Sequence, residues 1–236
     1  MNITKIKNYL LDLIFPINCL GCGQDNFYLC PDCLAKIKPV DYFVCPICRL
    51  PSEHGLTCPN CRHKTSLDGL IFAANYEQPL LQKAIGKMKY QLIKDLIGPL
   101  SQILINVLVP SSFISCFLVD LVVPVPLHRR KIAERGFNQS ELIAKIIGEK
   151  FNWPVETESI IRFKSTKNQA SLSKEKRLKN VINAFRVVGA HKLKDKNIVL
   201  IDDVCTTGAT LEEVAKLLKT NGAKKVFALT LARGKF

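Results

Sequence analysis

Eight of the ten cysteines in this 236-residue chain fall into four Cys-x-x-Cys pairs before position 62, a spacing that constrains the fold more than any other feature. Two thiolates two residues apart can hold one tetrahedral ion, and two such pairs complete a four-sulfur zinc site. The alternative is a disulfide framework, which requires an oxidising compartment and therefore an export signal. Residues 9–15 lack the form of such a signal, because Asp12 interrupts them and Pro16 follows them. We therefore expect two structural zinc ions and a cytoplasmic location. The pairs are Cys19/Cys22, Cys30/Cys33, Cys45/Cys48 and Cys58/Cys61.

The four cysteine pairs can be combined into two metal sites in three ways. Joining neighbours leaves seven residues between the first two pairs and nine between the last two, and both lengths suit zinc ribbons. We expect this adjacent pairing, with interleaved pairing as the alternative, and we place His54 and His63 outside both sites. A segment of this size with few large apolar residues needs its metal to fold.

From about residue 67 the sequence changes from cysteine-rich turns to apolar runs that alternate with helical patterns. Short β-branched runs predict buried strands at 70–76, 118–125, 198–201 and 226–231. Apolar residues at helical spacing predict helices at 79–90, 95–109, 138–151 and 209–221. This alternation predicts an α/β fold with a mostly parallel sheet covered by helices, and ligands in such folds bind at the carboxyl ends of the strands. We expect two domains, residues 1–66 and 67–236.

A membrane span must be considered, since residues 96–119 carry no charge and are long enough to cross a bilayer. Pro99, Pro110 and several polar residues interrupt this stretch, so we interpret it as a buried helix, a turn and a strand, with no membrane insertion. The helical apolar spacing of residues 3–14 predicts an N-terminal helix that packs against the zinc module.

The net charge of +14 is concentrated in one third of the chain. Residues 121–198 carry 17 basic and 7 acidic side chains. This concentration indicates a local anionic partner, and we expect phosphate.

The most specific segment, residues 198–210, reads Ile-Val-Leu-Ile-Asp-Asp-Val-Cys-Thr-Thr-Gly-Ala-Thr. An apolar strand delivers Asp202 and Asp203 at its end, and a Thr/Gly turn then opens a helix whose free amide groups favour phosphate. Two acids ahead of a phosphate cradle make electrostatic sense if a ribose and a magnesium ion lie between them. The alternative is an ordinary strand-to-helix turn with threonine as N-cap.

This segment resembles the phosphoribosyl-pyrophosphate (PRPP) binding motif of type I phosphoribosyltransferases. The resemblance implies that Asp202 and Asp203 hold the ribose hydroxyls and influence Mg²⁺. It also implies that the following turn binds the 5′-phosphate through Thr206, Thr207, Gly208, Ala209 and Thr210. Cys205 falls at a variable position and is expected to be a packing residue.

Residues 124–130 and 135–139, together with 87–90, 169–185 and the cysteine pairs, resemble the ComF family of competence-associated, phosphoribosyltransferase-like proteins over essentially the whole chain. The resemblance implies a type I phosphoribosyltransferase-like fold, a role in handling single-stranded DNA during natural transformation, and a competence helicase as partner. It also places the strand end near residue 124 at the pyrophosphate loop. There Arg129, Arg130 and Arg135 suit a polyanionic leaving group, Arg129 and Arg130 being assigned as catalytic and Arg135 as PRPP-binding. Asp202 and Asp203 are assigned as catalytic together with these two arginines, and His128 is assigned as PRPP-binding. The alternative for the arginines is a solvated basic face. His128 either donates a proton or hydrogen-bonds the loop, and we expect the second.

Three functions remain open from the sequence. The first is a PRPP-dependent transferase with an unknown acceptor, in which positioning, Mg²⁺ and arginines stabilise an oxocarbenium-like state. The second is nucleobase salvage. The third is a non-catalytic single-stranded DNA-binding module that uses the PRPP site as a sensor. Residues 162–177 have the composition of a mobile lid that closes over substrate, or alternatively of a disordered surface loop. The predicted DNA track comprises Lys164, Lys167, Lys174, Lys176, Arg177 and Lys179, interleaved with Phe137 and Phe163.

Overall fold

A four-stranded parallel sheet organises the computed structural model, which describes residues 17–110, 117–164 and 181–234. The strands are β1 (Gly69–Asn75), β2 (Leu121–Pro124), β3 (Ile160–Arg162), β4 (Phe185–Val187), β5 (Asn197–Cys205) and β6 (Lys225–Arg233). The main sheet has the order β1-β6-β5-β2, and all three of its pairings are parallel. The predicted α/β class with a mostly parallel sheet is therefore confirmed. The sequence did not predict β3 and β4, an antiparallel pair of three residues each, because runs this short have no readable periodicity.

Six α-helices lie within the described ranges, beside four short 3-10 helices. The α-helices are α1 (Pro31–Ala35), α2 (Pro79–Tyr90), α3 (Ile97–Leu108), α4 (Arg129–Arg135), α5 (Gln139–Phe151) and α6 (Ala209–Thr220). The bounds of α2 match the prediction, because Pro79 at the first helical position fixes its start. Asn138 caps α5 by accepting from the amide of Ser140 at 3.1 Å. The sequence did not predict α4, which occupies the segment interpreted as a pyrophosphate loop.

Both faces of the sheet are covered, which explains the nearly continuous apolar runs of its strands. Along β5, Val199 and Ile201 pack into the core that α2, α3 and α5 form on one face. The alternating residues Ile198 and Leu200 pack on the other face into the core that contains the buried side of α6. Both faces of β5 are thus buried from Ile198 to Ile201, and polar side chains follow at Asp202 and Asp203 near its carboxyl end.

The cysteine-rich module packs against the β1 edge of the sheet. Its apolar residues Ile37 and Val40 belong to the same core as Ile71 and Phe72 of β1. The amide of Val40 also donates to the carbonyl of Ala73 at 2.9 Å. The module therefore shares buried surface with the sheet.

None of the helices in the described ranges is long and apolar enough to span a membrane. The uncharged stretch after residue 95 begins with α3, which ends at Leu108. The predicted N-terminal helix at 3–14 lies outside the described residues. Cys116, the one cysteine besides Cys205 that belongs to no pair, also lies outside them, as does most of the predicted lid at 162–177.

Candidate functional site

The eight paired cysteines form two four-sulfur groups, each built from neighbouring pairs. Within each group the sulfur atoms all lie within 4.8 Å of one another. The sulfurs of Cys22 and Cys30 are 3.6 Å apart and those of Cys48 and Cys58 are 3.7 Å apart, close to the ~3.8 Å edge of a tetrahedron with Zn–S bonds of ~2.3 Å. The adjacent pairing is thus confirmed over the interleaved one. The groups are Cys19, Cys22, Cys30 and Cys33, and Cys45, Cys48, Cys58 and Cys61.

Backbone amides favour the thiolate form of one cysteine in each group. Burial raises the pKa of Cys19, but amide hydrogen bonds from Cys30, Cys22 and Gly21 outweigh it and lower the pKa to about 6. The same arrangement in the second group lowers the pKa of Cys45 to about 6. All nine cysteines in the described ranges are free thiols, so the donor set suits a structural Zn²⁺ in each group.

Two adjacent aspartates, Asp202 and Asp203, lie near the carboxyl end of β5. This strand runs to Cys205, four residues beyond the predicted bound, and therefore carries both of them. Asp202 accepts at Oδ1 from the Ser140 hydroxyl at 3.0 Å and from the amide of Asp203 at 2.9 Å. Burial, reinforced by the neighbouring charge of Asp203, raises the pKa of Asp202 from 3.8 to about 7. The site therefore holds one carboxyl group that titrates near neutrality beside a second carboxylate.

The second aspartate forms a buried ion pair with a lysine of α2. Lys89 Nζ lies 2.8 Å from Asp203 Oδ1, and only 5% of the Asp203 side chain is exposed. Burial lowers the pKa of Lys89, but the charge of Asp203 outweighs this effect and the pKa is raised. The other oxygen, Asp203 Oδ2, is buried and has no hydrogen-bond partner among the described residues. Such an oxygen is a ready ligand for a hydroxyl group or a cation.

The turn after the aspartates leads directly into the first turn of α6. Gly208 adopts a left-handed φ of 76° at the N-cap of α6, a conformation that glycine permits without strain. Its lack of a side chain leaves the cap to Thr207, whose Oγ1 accepts from the amide of Ala209 at 3.4 Å. Asp202 and residues 204–211 line a small hollow inside the turn. The aspartate, the threonines and the start of α6 thus face one space, as the sequence predicted.

A cavity of about 290 Å³ opens in front of these groups. Four cationic side chains contribute to its walls: Lys89, Lys131, Arg135 and Arg162. Burial lowers the pKa of Lys131, and the charges of Arg162 and Arg135 lower it further. Burial also lowers the pKa of Arg162, although Asp202 opposes this. Partly buried cations that lie close together in a cleft are stabilised by a bound polyanion.

The structure brings only one of the four predicted pyrophosphate-loop residues to this cavity. Arg135 lines it, whereas His128 and Arg129 line a neighbouring cavity of about 410 Å³. Arg130 is 76% exposed and pairs with Glu134 at 3.0 Å. His128 caps α4, its Nδ1 accepting from the amide of Arg130 at 3.2 Å, which matches the hydrogen-bonding alternative for that residue.

Helical geometry explains which basic residues face the carboxylates. In α4, Lys131 and Arg135 are four residues apart and share the face that lines the cavity. The pair Arg130 and Glu134 has the same spacing on the exposed face. Sequence reasoning missed Lys131 because it assumed a loop here, and the i, i+4 spacing is the signal that could have found it. Arg162 was considered only as the start of a lid, although strand β3 brings it to the cavity.

The predicted DNA track is only partly described. Five of its six basic residues lie outside the described ranges, and Lys164 lies 5.9 Å from the ring of Phe163. Phe163 is 46% exposed, lines the 410 Å³ cavity and also has Arg186 stacked 5.8 Å from its centroid. Phe137 is buried and covered by Lys94, so the structure does not offer its ring as a stacking surface.

Two family models match the chain. A phosphoribosyl transferase domain matches residues 132–235, and a double zinc ribbon domain matches residues 10–62. The first covers the aspartates and the threonine turn, and the second covers the eight paired cysteines.

Curated relatives match almost the full length. The DNA utilization protein YhgH of Escherichia coli is 33% identical over 208 residues, covering 87% of this chain and 90% of that protein. Competence protein F of Haemophilus influenzae is 29% identical over 93% of this chain and 98% of its own length. Competence protein ComFC of Bacillus subtilis is 28% identical over 87% of this chain and 84% of its own length. A purine phosphoribosyltransferase from Pyrococcus horikoshii, a solved structure, is 23% identical with a TM-score of 0.34, covering 61% of this chain and 75% of that one.

Proposed function

The chain belongs to the ComF family of competence-associated, phosphoribosyltransferase-like proteins, and from that premise we propose that it binds PRPP and Mg²⁺. The proposed site is the 290 Å³ cavity lined by Asp202 and Asp203, here called the aspartate cavity. We propose that this binding contributes to DNA uptake. One observation carries the proposal. Asp202 and Asp203 lie in the last four residues of a buried strand, just before the turn that opens α6, and four cationic side chains line the same cavity. A sugar that carries phosphates at both ends has the charge pattern this arrangement complements.

Each part of the cavity matches a part of the ligand. The turn at residues 206–210 offers amides and threonine hydroxyls to the 5′-phosphate. The oxygens of Asp202 and Asp203 are acceptors for the ribose hydroxyls. Lys131 and Arg135 face a pyrophosphate group, and charge-assisted bonds from such groups are about twice as strong as neutral ones.

Mg²⁺ fits the same residues. Its preferred ligands are carboxylate oxygens and phosphates, and the unpartnered Oδ2 of Asp203 is an oxygen of that kind. Bound there, the ion would neutralise charge on the departing pyrophosphate. The chain's own contribution is to fix the ribose and to place Lys131, Arg135 and Arg162 around the leaving group, while Lys89 holds Asp203 in position.

Titration calorimetry with PRPP and Mg²⁺ tests this proposal. We expect saturable binding by the zinc-loaded wild type and its loss in the double variant Asp202→Asn/Asp203→Asn. Asp195→Asn, an exposed aspartate at the amino end of β5, is the matched control and should bind as the wild type does. Absence of binding heat in the wild type at every PRPP concentration would end the proposal.

A second component of the function is single-stranded DNA binding. One relative is named a DNA utilization protein, which suggests a role with DNA, and one surface of this chain favours a single strand. The 410 Å³ cavity combines Arg129 and Arg186 with the exposed ring of Phe163, the mixture of cations and stacking platform that single strands require. It shares Leu127 and Arg162 with the aspartate cavity, so a strand held there would lie beside the PRPP site.

A salt-titrated binding assay with an oligothymidine tests this component. Contacts with three or more phosphates give a log–log slope of about −2 or steeper against salt concentration. Phe163→Ala should weaken binding about tenfold at any salt, since one stacked base contributes about 1–3 kcal/mol. Phe43→Ala, a partly buried ring of the zinc module, is the control for loss of an aromatic. A flat salt dependence would contradict the proposal.

A further inference from the structure

A third cavity, of about 260 Å³, lies between the cysteine-rich module and the carboxyl ends of β1 and β6. Its polar walls come from Tyr42, Arg49, Asn75 and Arg233. These groups offer two guanidinium ions, an amide and a hydroxyl, and no acidic side chain lines the cavity within the described ranges. Tyr42 and Asn75 contact each other only at 3.4–3.5 Å, so neither donor is tightly committed.

Arg233 is the unusual member of this group because it is a buried cation with unused donors. The residue is 5% exposed and stacks 5.6 Å from the centroid of Phe72, which also lines the cavity. Its Nη2 donates to the carbonyl of Pro46 at 2.7 Å, but Nε and Nη1 have no hydrogen-bond partner within the described ranges. A buried guanidinium with two unmet donors carries a desolvation penalty that a bound anion would remove.

A structural explanation competes with ligand binding. Pro46 lies in the Cys45–Cys48 pair, so Arg233 is close to a zinc–thiolate group whose net charge would be negative. Arg233 could serve there as a counter-ion alone. That role does not account for the cavity, for the second arginine in its wall, or for the donors of Asn75 and Tyr42 beside it.

We propose that this cavity is an oxyanion site for a phosphate group, with Arg233 as the principal ligand and Arg49, Asn75 and Tyr42 as supporting donors. Planar guanidinium groups bind phosphate oxygens in two places at once, which suits a pocket walled by two arginines. The site is separate from the aspartate cavity, and the inference does not rest on PRPP binding. The phosphate could be free phosphate, a small phosphate ester, or a phosphate of single-stranded DNA.

Arginine side-chain NMR tests the site directly. The Nε–H signal of Arg233, identified by its loss in Arg233→Lys, is followed in zinc-loaded, ¹⁵N-arginine-labelled protein during titration with inorganic phosphate. A parallel chloride titration at equal ionic strength is the reference. We expect a saturable shift with phosphate only. We also expect this shift to persist in Thr207→Ala, a change designed to weaken anion binding at the proposed PRPP site. The signal of Arg62, an exposed arginine of the cysteine-rich module, should follow chloride and phosphate alike.

Affinity measurements then separate a ligand site from a counter-ion. Tyr42→Phe removes one hydroxyl from an exposed position and should weaken phosphate binding about threefold or more, the factor given by one hydrogen bond. Displacement of phosphate by an oligothymidine assigns the site to nucleic acid phosphates, and retention assigns it to free phosphate or a small ester. Equal responses of Arg233 to chloride and phosphate would overturn the proposal, and so would phosphate affinity unchanged by Tyr42→Phe.

Discussion

Replacing Asp202 by asparagine should stabilise the protein at the expense of its ligand site. Burial and the charge of Asp203 raise the pKa of Asp202 from 3.8 to about 7 in the folded chain. At about 1.4 kcal/mol per pH unit, keeping this group ionised above pH 7 costs at most about 4 kcal/mol of folding free energy. We expect roughly half of that, about 2 kcal/mol, to be recovered, because the carboxyl group keeps some contact with solvent in the cavity. Asparagine can still accept from Ser140 and from the amide of Asp203 through its oxygen, so both hydrogen bonds survive.

The sign of the pH dependence follows from which state binds the proton. Between pH 3.8 and about 7 the folded protein retains a proton on Asp202 that the unfolded chain has lost, so wild-type stability falls as pH rises through this window. The stability of Asp202→Asn does not fall in this way, because the asparagine side chain does not bind or release a proton. Its advantage over the wild type is therefore full above the folded-state pKa, about half as large near pH 5.5, and absent below the unfolded-state pKa.

Urea unfolding of wild type and Asp202→Asn at pH 8 and pH 5.5 measures this difference. Zinc release on acidification affects both proteins and cancels in the comparison. Asp195→Asn, an exposed aspartate, should show no pH-dependent difference from the wild type. The reasoning is refuted if Asp202→Asn is no more stable than the wild type at pH 8, or if its advantage is the same at both pH values.

Three further predictions concern other parts of the chain. Lys89→Met leaves the buried Asp203 charge uncompensated and should lower the free energy of unfolding by about 3 kcal/mol, most of which the added change Asp203→Asn should restore in a double-mutant cycle. Leu92 is 45% exposed and has a left-handed φ of 62°. Leu92→Gly should therefore raise the melting temperature, because glycine relieves about 1 kcal/mol of backbone strain at this φ. The control is Leu118→Gly, which should not raise the melting temperature, since Leu118 is 85% exposed and has no positive φ. Chelation of zinc should collapse the amide spectrum of residues 17–62 while the sheet signals persist, and a spectrum unchanged after metal removal would contradict the assignment of structural zinc.

The elements with strong local signals were predictable from the sequence. Both sulfurs of a Cys-x-x-Cys pair can bind the same metal ion, and short segments connect neighbouring pairs. The spacing therefore predicted the two four-sulfur groups and their adjacent pairing. The apolar strand ending in two acids before a Thr/Gly turn determined the position of the aspartate site. Apolar spacing predicted the helix from Pro79 to Tyr90, and it placed the start of the helix at 139–151 within one residue, since Asn138 is the N-cap of that helix.

The cationic wall of the cavity was not predictable in the same way. Lys89 and Arg162 come from segments more than 70 residues apart in the chain, and only the tertiary fold shows that both face Asp202 and Asp203. In the helix of residues 129–135, Arg130 lies on the exposed face and Lys131 lines the cavity. The amino-acid composition of this basic segment does not indicate which of two neighbouring residues faces the cavity. The sequence around Arg233 predicts only a buried strand. That its Nε and Nη1 are buried without hydrogen-bond partners is seen only in the structure, where the neighbouring residues surround it.

A ³¹P NMR titration of PRPP with the zinc-loaded protein and Mg²⁺ tests the central assignment most directly, because the 5′-phosphate and the two pyrophosphate groups give separate signals. The turn at residues 206–210 should shift or broaden the 5′-phosphate signal, and the cations around Asp202 and Asp203 should affect both pyrophosphate signals, each saturating at one ligand per chain. All three signals unchanged in the presence of excess protein would contradict a sugar-phosphate site at the aspartate pair.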